Sequence, residues 1–498
     1  MSHKLLASLV AALSLGAFAD NSVYVAKNGS DFSGDGSSNN PYASLAAAVS
    51  ALGDEGGTVY VRAGTYTFTT TDAATDGKSC FIINTPVKIV GATGNPADVV
   101  FKRDSSVTSA RVFRIDNAGA GLRYVTVQNG YFNGETWNGG NVYVGSAGGT
   151  IEDCVLTGGN AGNINTTVRG GGNLYMSAGR CARCVITDGK ISFYRPIGLN
   201  VFAEGSAIVE NCLITKGLDT SSHTAAVDEG AVVLKGSAKL INCTVVDNSA
   251  QRFSGVHIMS TSAYAINCII ACNSVVYEGD VRADELDKAG TPSVDNFPNG
   301  VCNGQNKANF LYCATDLDTS KYAQLNNTCV TIAEDDFVDA QNGDWRVRSS
   351  SAAIQAGSDY SQTGATSETD LLGNPRTKSG TVDIGCYQND LKFDVRFSAS
   401  SMSGIIPSTS KITFTANPFC AAGPVTYTWD FGDGSTVLQT TETTVEHEYS
   451  SVGSYTVSVT AADGTSSVSY LFPSEVVISS FSCEFVMVTT NVDRKSVV

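Results

Sequence analysis

Positive charge is scarce in this 498-residue chain, which carries 32 Lys and Arg against 48 Asp and Glu. The formal net charge of -16 makes nucleic acid and an anionic membrane poor partners for its surface. Histidine is rarer still, with four in the chain, and His257 lies inside the apolar stretch GVHIM. A metal or nucleophile site built on histidine is therefore not expected.

Long apolar runs are also missing, apart from one near the start, so no other segment of about 18 residues could span a membrane. That first segment has Lys4, an apolar run from Leu5 to Phe18, and the letters AFA before Asp20. It fits a secretory signal peptide cleaved after Ala19. We therefore expect a secreted protein that is extracellular or held at the cell surface, with no membrane span.

Charged residues of both signs make up only 16% of the chain, while glycine, serine, threonine and asparagine are abundant. This balance favours an all-β exported protein over a helical enzyme. Fourteen cysteines in an oxidising compartment would ordinarily pair as disulfides. A repeated pattern in the sequence argues against pairing for at least five of them.

Five segments repeat one pattern, in which a short strand runs into a cysteine and the next strand stops at Gly or Asn. They are TIEDCVLTGG, RCARCVITDG, IVENCLITKG, KLINCTVVDN and YAINCIIACN, with the cysteines Cys154, Cys184, Cys212, Cys243 and Cys268. The successive spacings of these cysteines are 30, 28, 31 and 25 residues, and a Gly-led strand precedes each one. Periods of this size with several short β segments predict a right-handed parallel β-helix, a solenoid.

The repeated cysteines are predicted to face the core, because the residue before each is polar and the residue two after it is apolar. The residue three before each cysteine is apolar too, although strict alternation would point it outward, so a bend must separate the two columns. Cysteines on adjacent coils can form a disulfide only if their Cβ vectors converge. We expect these cysteines to be reduced. Cys181 and Cys184 then occupy two core columns and form neither a redox pair nor half of a zinc site.

The N-terminal part of the chain contains PYASLAAAVSAL, from Pro41 to Leu52, whose apolar residues follow helical spacing. A helix here would cap the open end of the β-helix. The opening VYVAKNGSDFSGDGSSNNPYASLAAAVSAL, with GGTVYVRAGTY, resembles that of secreted pectate-lyase-like β-helix proteins. The GGGNLY coils resemble those of bacterial adhesin-like surface proteins. GDWRVRSSSAAIQAGSDYSQTG with DLLGNPRTKSGTVDIGCYQ is similar to a closing module called the choice-of-anchor Q region.

A second all-β pattern follows the repeats, in KITFTA, VTYTWDFGDGS and VEHEYSSVGSYTVSVTAADG. With WDFGDG at Trp429 to Gly434, this block resembles a PKD (polycystic-kidney-disease) domain, an immunoglobulin-like sandwich. The resemblance implies a spacer or polymer-contacting module, with Trp429 in the core and His447 in a structural role. The predicted organisation is a signal peptide at 1–19, a β-helix at 20–390 that closes from about 335, a PKD domain at 391–482 and a tail at 483–498.

Ligands of such a β-helix are expected at the edge where the loops between coils stack, because the core positions are already filled. Aromatic faces suit sugars, and guanidinium or ammonium groups pair with carboxylates. We therefore predict that this edge binds a polymer, an acidic polysaccharide or cell-surface glycan. The binding candidates are Tyr131, Trp137, Arg169, Tyr194 and Arg252. Under the blander alternative, the rings cover loop ends and the charges are ordinary solvated positions.

A polysaccharide lyase is the second interpretation, since the pectate-lyase-like resemblance allows β-elimination. Elimination needs a base beside the uronate carboxylate and a cation, usually calcium, to stabilise the developing charge. Lys190 and Arg195 are the candidate bases, and Asp153 and Asp188, on adjacent coils, are the candidate calcium ligands. YRPIGLN lacks the second arginine of the family's Arg-x-Pro-x-x-Arg loop, which leaves catalysis an open question.

Hydrolysis has less support, because the N-T-D, G-H-G and R-I-K motifs of β-helix polygalacturonases are absent. Asp228 and Glu229 are sequence neighbours that would point apart in a strand, whereas paired carboxylates must flank the scissile bond. A third interpretation is a structural stalk or adhesin in which the β-helix presents the PKD domain. Calcium is the one cofactor that any of these interpretations requires, and we expect a monomer.

Overall fold

The structure is a computed structural model. It describes residues 21–71, 76–132, 138–161, 170–191, 197–219, 229–250, 254–275, 301–303, 309–316, 328–348, 350–358, 368–376, 382–388, 393–407, 410–419, 421, 423–472 and 474–480. The chain divides into two compact units: one is Met1–Val347 with Ser351–Gln388, and the other is Arg348–Ser350 with Asn389–Val498. Among the described residues, no helix is long and apolar enough to cross a membrane. The signal-peptide and domain limits at 19, 390 and 482 stay predictions.

The first unit consists of four stacked parallel sheets, which we number in the order in which each coil visits them. Within the described residues, sheets 1, 2 and 4 have ten strands each and sheet 3 has six. Strands of consecutive coils pair in register, as Ile151 with Cys181 in sheet 1 and Leu156 with Ile186 in sheet 2. These stacked parallel sheets confirm the predicted β-helix.

The strand bounds follow, sheet by sheet. Sheet 1 contains Ser22–Val25, Gly57–Val61, Val87–Gly91, Gly121–Arg123, Thr150–Glu152, Arg180–Ala182, Ile208–Glu210, Lys239–Ile241, Tyr264–Ile266 and Phe310–Leu311. Sheet 2 contains Gly64–Phe68, Val99–Arg103, Thr126–Gln128, Val155–Thr157, Val185–Thr187, Leu213–Thr215, Thr244–Val246, Ile269–Ile270, Ala314–Thr315 and Val330–Thr331. Sheet 3 contains Tyr131–Phe132, Asn160–Ala161, Lys190–Ile191, Leu218–Asp219, Ser249–Ala250 and Ser274–Val275. Sheet 4 contains Ser79–Ile83, Arg111–Ile115, Asn138–Gly139, Val142–Val144, Gly170–Gly171, Leu174–Met176, Ile197–Ala203, Glu229–Leu234, Val256–Ile258 and Val301–Asn303.

The bend required between sheets 1 and 2 lies at the residue before each cysteine, where the backbone is left-handed. The φ angle is 55° at Asp153, 51° at Arg183 and 51° at Asn211. Asp and Asn tolerate this region better than most residues because their short polar side chains can hydrogen-bond locally. The bend lets Ile151 and Cys154 both face the core, and both are buried.

The cysteines form a ladder of buried thiols between the two columns of aliphatic side chains. Its members, none of which is in a disulfide, are Cys154, Cys184, Cys212, Cys243, Cys268, Cys313 and Cys329. The backbone N–H of Cys184 donates to Cys212 Sγ at 3.4 Å, and that of Cys212 donates to Cys243 Sγ at 3.4 Å. Burial raises the pKa of the Cys184 and Cys243 thiols well above the ordinary value. The ladder acts as apolar packing because every one of its members is buried.

Thiol titration checks this ladder. After denaturation without reductant, we expect at least the eleven cysteines that are free in the described structure to react with a thiol reagent. The native protein should react slowly, because the ladder thiols are buried and out of reach of the reagent. A denatured protein with no reactive thiols would contradict the reduced ladder.

The predicted capping helix is present as Leu45–Leu52, with the Ser44 side chain accepting from the Ala47 N–H at 3.1 Å. Its residues Leu45, Ala48 and Leu52 are buried in the same core cluster as the first strands of the solenoid. The helix therefore covers core side chains that would otherwise be exposed at the first coil.

The closing region packs against the outer face of sheet 2. It contains the 3₁₀ helices Glu334–Asp336 and Ala340–Asn342 and the antiparallel strands Phe337–Asp339 and Asp344–Val347. Trp345 and Ile384 are buried in one cluster with Ile269 of sheet 2. The Cys386 N–H donates to Thr244 Oγ1 at 3.0 Å, which fixes the two layers together.

The second unit is an antiparallel β-sandwich in which two strands also pair in parallel. Its strands are Asp394–Ala399, Ser403–Ile406, Lys411–Phe419, Thr426–Asp430, Leu438–Thr440, Thr444–Glu448, Gly453–Tyr455, Ser458–Ala462, Ser467–Leu471 and Val476–Ser480. Trp429 is fully buried in its core, as predicted. His447 stacks on Phe431 at 3.9 Å between ring centroids and lies 2.8 Å from Asp433, which agrees with the structural role expected for it.

Candidate functional site

Sheet 3 lies at the predicted binding edge, where each coil stops before its variable loop. Its two-residue strands point one side chain inward, as Phe132 and Ile191, and one outward, as Tyr131 and Lys190. Tyr131 pairs with Asn160, which pairs with Lys190. Because neighbouring strands are about 4.8 Å apart, the side chains of Tyr131 and Lys190 start about 10 Å apart on one column. The structure therefore brings these two predicted residues together.

Five other predicted site residues lie outside the described residues. They are Trp137, Arg169, Tyr194, Arg195 and Arg252. In the sequence, each lies between a strand of sheet 3 and the next strand of sheet 4.

An arginine–aromatic corner adjoins Tyr131 where sheet 3 meets sheet 4. We define it by Arg103, Arg111, Arg114, Tyr131, Phe132 and Tyr143. The guanidinium carbon of Arg103 lies 5.8 Å from the ring centroid of Tyr131, and that of Arg114 lies 5.6 Å from the ring centroid of Tyr143. The backbone of Tyr131 bonds to Ala110 in both directions, at 2.6 and 3.0 Å, which holds the start of the sheet 4 strand against sheet 3.

The outer face of sheet 4 continues this corner as a column of aromatic side chains. The rings of Tyr143 and Tyr175 stack with centroids 5.1 Å apart, and those of Tyr175 and Phe202 stack at 5.8 Å. The Tyr175 hydroxyl donates to Glu204. In-register pairing places one ring per coil, and the rings of Tyr175 and Phe202 are buried in one cluster against which the partly buried Tyr143 packs.

Charge at the corner is distributed unevenly. Arg114 donates to Asp116 at 2.5 Å and to Asp76 at 3.2 Å, so two carboxylates surround this cation. Hydrogen bonds from Ser79, the Lys78 N–H and Arg114 hold the pKa of Asp76 below its ordinary value, although burial opposes this. Arg114 is therefore held by charge-assisted hydrogen bonds to two carboxylates.

The predicted calcium ligands Asp153 and Asp188 lie in two different bends, on opposite sides of sheet 2. Arg183 donates to both carboxylate oxygens of Asp153, at 2.6 and 3.0 Å, and Arg123 adds a third bond at 2.8 Å. Asp188 accepts from the Thr187 hydroxyl at 2.9 Å. The structure does not bring the two carboxylates together, and a cation at Asp153 would have to displace an arginine.

Further arginine–carboxylate pairs lie on the outer face of sheet 1, beside the pair formed by Asp153. Arg180 bonds to Glu152 and, at 2.6 Å, to the fully buried Glu210. The hydrogen bonds and charge of Asp153 raise the pKa of Arg183 above its ordinary value, against the effect of burial. The acidic groups named on this face are thus paired with arginines. Lys190 on sheet 3, by contrast, has an exposed side chain.

Sequence reasoning missed most of the corner because Arg103, Arg111 and Arg114 precede the recognisable coils. Two signals could have found it. RVFRI places two arginines around an apolar strand, and the Gly-led strands NVYV, NLYM and NVFA each have an aromatic residue at the same position. Aligning these strands gives the column of Tyr143, Tyr175 and Phe202.

Comparison with known proteins identifies the second unit. Residues 394–470 match the PKD domain family. A segment of 54 residues, 11% of this chain, is 43% identical to human polycystin-1 and spans 1% of that protein's length. A PKD sandwich joined to a parallel β-helix fits an extracellular architecture with an adhesin-like or structural role.

Proposed function

We propose that this chain is an extracellular, adhesin-like protein that binds an acidic polysaccharide along sheet 3 and the arginine–aromatic corner. The observation that supports this most is the alignment of Tyr131 and Lys190 on one outward column beside the corner. In this proposal the PKD domain serves as a spacer or a second contact module.

The chemistry of this edge matches the two parts of an acidic sugar. Rings such as Tyr131 offer flat apolar faces to a pyranose, while Lys190 is exposed and supplies a mobile positive charge for carboxylates. Successive coils are about 4.8 Å apart, so a chain of sugars laid along the solenoid axis could contact several coils in turn. We propose that Trp137, Arg169, Tyr194, Arg195 and Arg252 contact the same polymer from the loops.

Calcium-dependent elimination has less support than binding. Lys190 is accessible as a base, but Asp153 is bound by two arginines and lies in a different bend from Asp188. Elimination needs a cation to stabilise the developing charge, and these two carboxylates do not form a site for one.

Binding is tested with the purified protein against immobilised polygalacturonate, alginate and chondroitin sulfate, with dextran as the neutral polymer. We expect at least one acidic polymer to bind, and Tyr131→Ala and Lys190→Ala each to weaken binding by about 5- to 30-fold, for about 1–2 kcal/mol per contact. Lys88→Ala is the matched control, because Lys88 is exposed on sheet 1.

Each alternative interpretation predicts a different result in that experiment. Unsaturated uronate products that form with calcium and vanish with a chelator would identify a lyase. Absence of binding to every polymer would favour the stalk. Equal binding by wild type, Tyr131→Ala and Lys190→Ala would contradict the proposed edge.

A further inference from the structure

Three thiols meet in the core of the β-helix, where the ladder of buried thiols lies beside an aliphatic column of sheet 1. The Sγ atoms of Cys181, Cys184 and Cys212 all lie within 4.8 Å of one another, and each residue is fully buried. Cys184 and Cys212 are consecutive members of the ladder, whereas Cys181 belongs to the column of sheet 1. The three sulfurs therefore form a triangle and not a line.

Cys181 is what makes this coil different from the others. In-register pairing places Ile151 before it in the column and Val209 after it, and both are aliphatic. Neighbours along the ladder are about 4.8 Å apart, so a third ladder thiol lies about 10 Å from the first. Among the described residues, the triangle is the one group of three metal-ligating side chains that lie this close together.

The size of the triangle suits a metal ion. With sides of 4.8 Å, its centre lies about 2.8 Å from each sulfur, and metal–thiolate bonds are about 2.3 Å long. A small inward rotation of the thiols is enough to close that difference. The Cys184 N–H also donates to Cys212 Sγ at 3.4 Å, and a hydrogen bond of this kind favours the thiolate over the thiol.

The donor set decides which metal fits. Sulfur ligands favour soft metals, and copper(I), zinc and iron–sulfur clusters are the usual occupants of such sites in proteins. Structural zinc takes four ligands and iron–sulfur clusters take four cysteines, whereas this group offers three sulfurs. Copper(I) accepts three sulfur ligands. With one thiolate and two thiols it forms a neutral centre, which is the state that apolar surroundings favour.

We propose that Cys181, Cys184 and Cys212 bind one copper(I) ion as a structural centre of the β-helix. The ion is taken up while the chain folds, so that no route through the finished core is needed, as in other proteins whose metal binding is coupled to folding. Bound copper links two successive coils through their interior. This proposal is independent of polysaccharide binding and concerns the stability of the solenoid.

Metal uptake during refolding tests the site. The full-length protein is unfolded in urea with reductant and a chelator, desalted, and refolded without oxygen in the presence of copper(I) or of zinc. After a second desalting step, we expect about one copper per chain in the wild type and less than about a tenth of that amount of zinc. Copper should also raise the melting temperature, because it binds the folded state.

A matched pair of variants locates the metal. Cys181→Val removes one corner of the triangle and supplies the side chain that Val209 already places in that column. Its copper content should fall at least about tenfold, and copper should no longer raise its melting temperature. Cys313→Val is the control, because it removes a buried ladder thiol outside the triangle, and it should keep its copper. If Cys181→Val does not fold, Cys184→Val gives the same test, since Val125 occupies the ladder column two coils earlier.

The pattern of copper content decides between the possible results. Retention in the wild type and Cys313→Val, with loss in Cys181→Val, supports the triangle. Equal retention in all three proteins would place the copper elsewhere, and equal loss in both variants would assign it to the ladder as a whole. Either of these results would overturn the proposal, as would a wild type that retains no copper or that retains zinc in its place.

Discussion

Asn173→Ala is expected to destabilise the β-helix by about 3–4 kcal/mol, because this buried amide bonds in four directions. Its Oδ1 accepts from the Asn141 amide at 2.7 Å and from the Gly159 N–H at 2.9 Å. Its Nδ2 donates to the Thr187 carbonyl at 2.8 Å and to Asn200 Oδ1 at 2.7 Å. Alanine would leave these groups short of partners in a region that excludes water.

The amide of Asn173 is one step of a ladder that links successive coils. The members are Asn141, Asn173, Asn200, Asn248 and Asn273, and each amide donates to the next Oδ1. Loss of one member should therefore weaken its neighbours as well. We expect the Gly159 amide, which bonds to Asn173, to exchange faster with solvent in Asn173→Ala.

Urea unfolding with hydrogen exchange measures both effects. The matched control is Asn28→Ala, because Asn28 is exposed, and its effect on stability should stay within about 0.5 kcal/mol. If Asn173→Ala unfolds at the same urea concentration as Asn28→Ala, the amide ladder does not determine stability.

The coil repeat was predictable because its signals are local. Polar Asp153 before Cys154 and apolar Leu156 after it give the period of a strand, and apolar Ile151 shows that a bend must intervene. The left-handed φ of 55° at Asp153 is that bend. Trp429 and the capping helix were predictable for the same reason, since WDFGDG and the helical spacing after Pro41 need no distant contact to be recognised.

The amide ladder and the arginine pairs were not predictable, because each depends on register between coils. Asn173 follows a Gly-Gly pair and Asn248 lies between the strands Thr244–Val246 and Ser249–Ala250, yet both enter one ladder. Asp153 looked available for calcium until pairing placed Arg123 and Arg183 on either side of it. Long-range register decides which charges are free, and the sequence spacing varies too much to reveal it.

The candidate site was predictable only in part. Tyr131 and Lys190 were identified from their place at the edge where the loops between coils stack. Their shared column depends on Asn160, which pairs with both of them. The contacts of Arg111 with Phe132 and Tyr143 could not be predicted, because they join residues from separate strands. The contrast with Arg114, identical in type and three residues away, exists only in three dimensions.

Gly385→Ala is expected to detach the closing region from sheet 2 and to destabilise it by about 3 kcal/mol or more. Gly385 has a φ of 100°, and a Cβ there would lie 2.6 Å from Ile269 Cδ1 and 2.8 Å from Thr244 Oγ1. The same residue donates to the Asn267 carbonyl at 2.8 Å and accepts from Arg376 at 2.6 Å. Relief of the clash would break the bonds that hold the two layers together.

Gly373→Ala is the matched control, since Gly373 also has a left-handed backbone, with a φ of 88°, but has nothing within 4 Å of a built Cβ. Its free energy of unfolding should fall only by the conformational cost of alanine at a positive φ, about 1 kcal/mol.

Cys386 reports the difference, because its thiol is fully buried and burial raises its pKa to about 12. Alkylation of Cys386 should accelerate strongly in Gly385→Ala and little in Gly373→Ala. Equal protection of Cys386 in the two variants would mean that the closing region tolerates a side chain at Gly385. Its attachment to sheet 2 would then depend on the buried contacts of Trp345 and Ile384 rather than on close backbone approach.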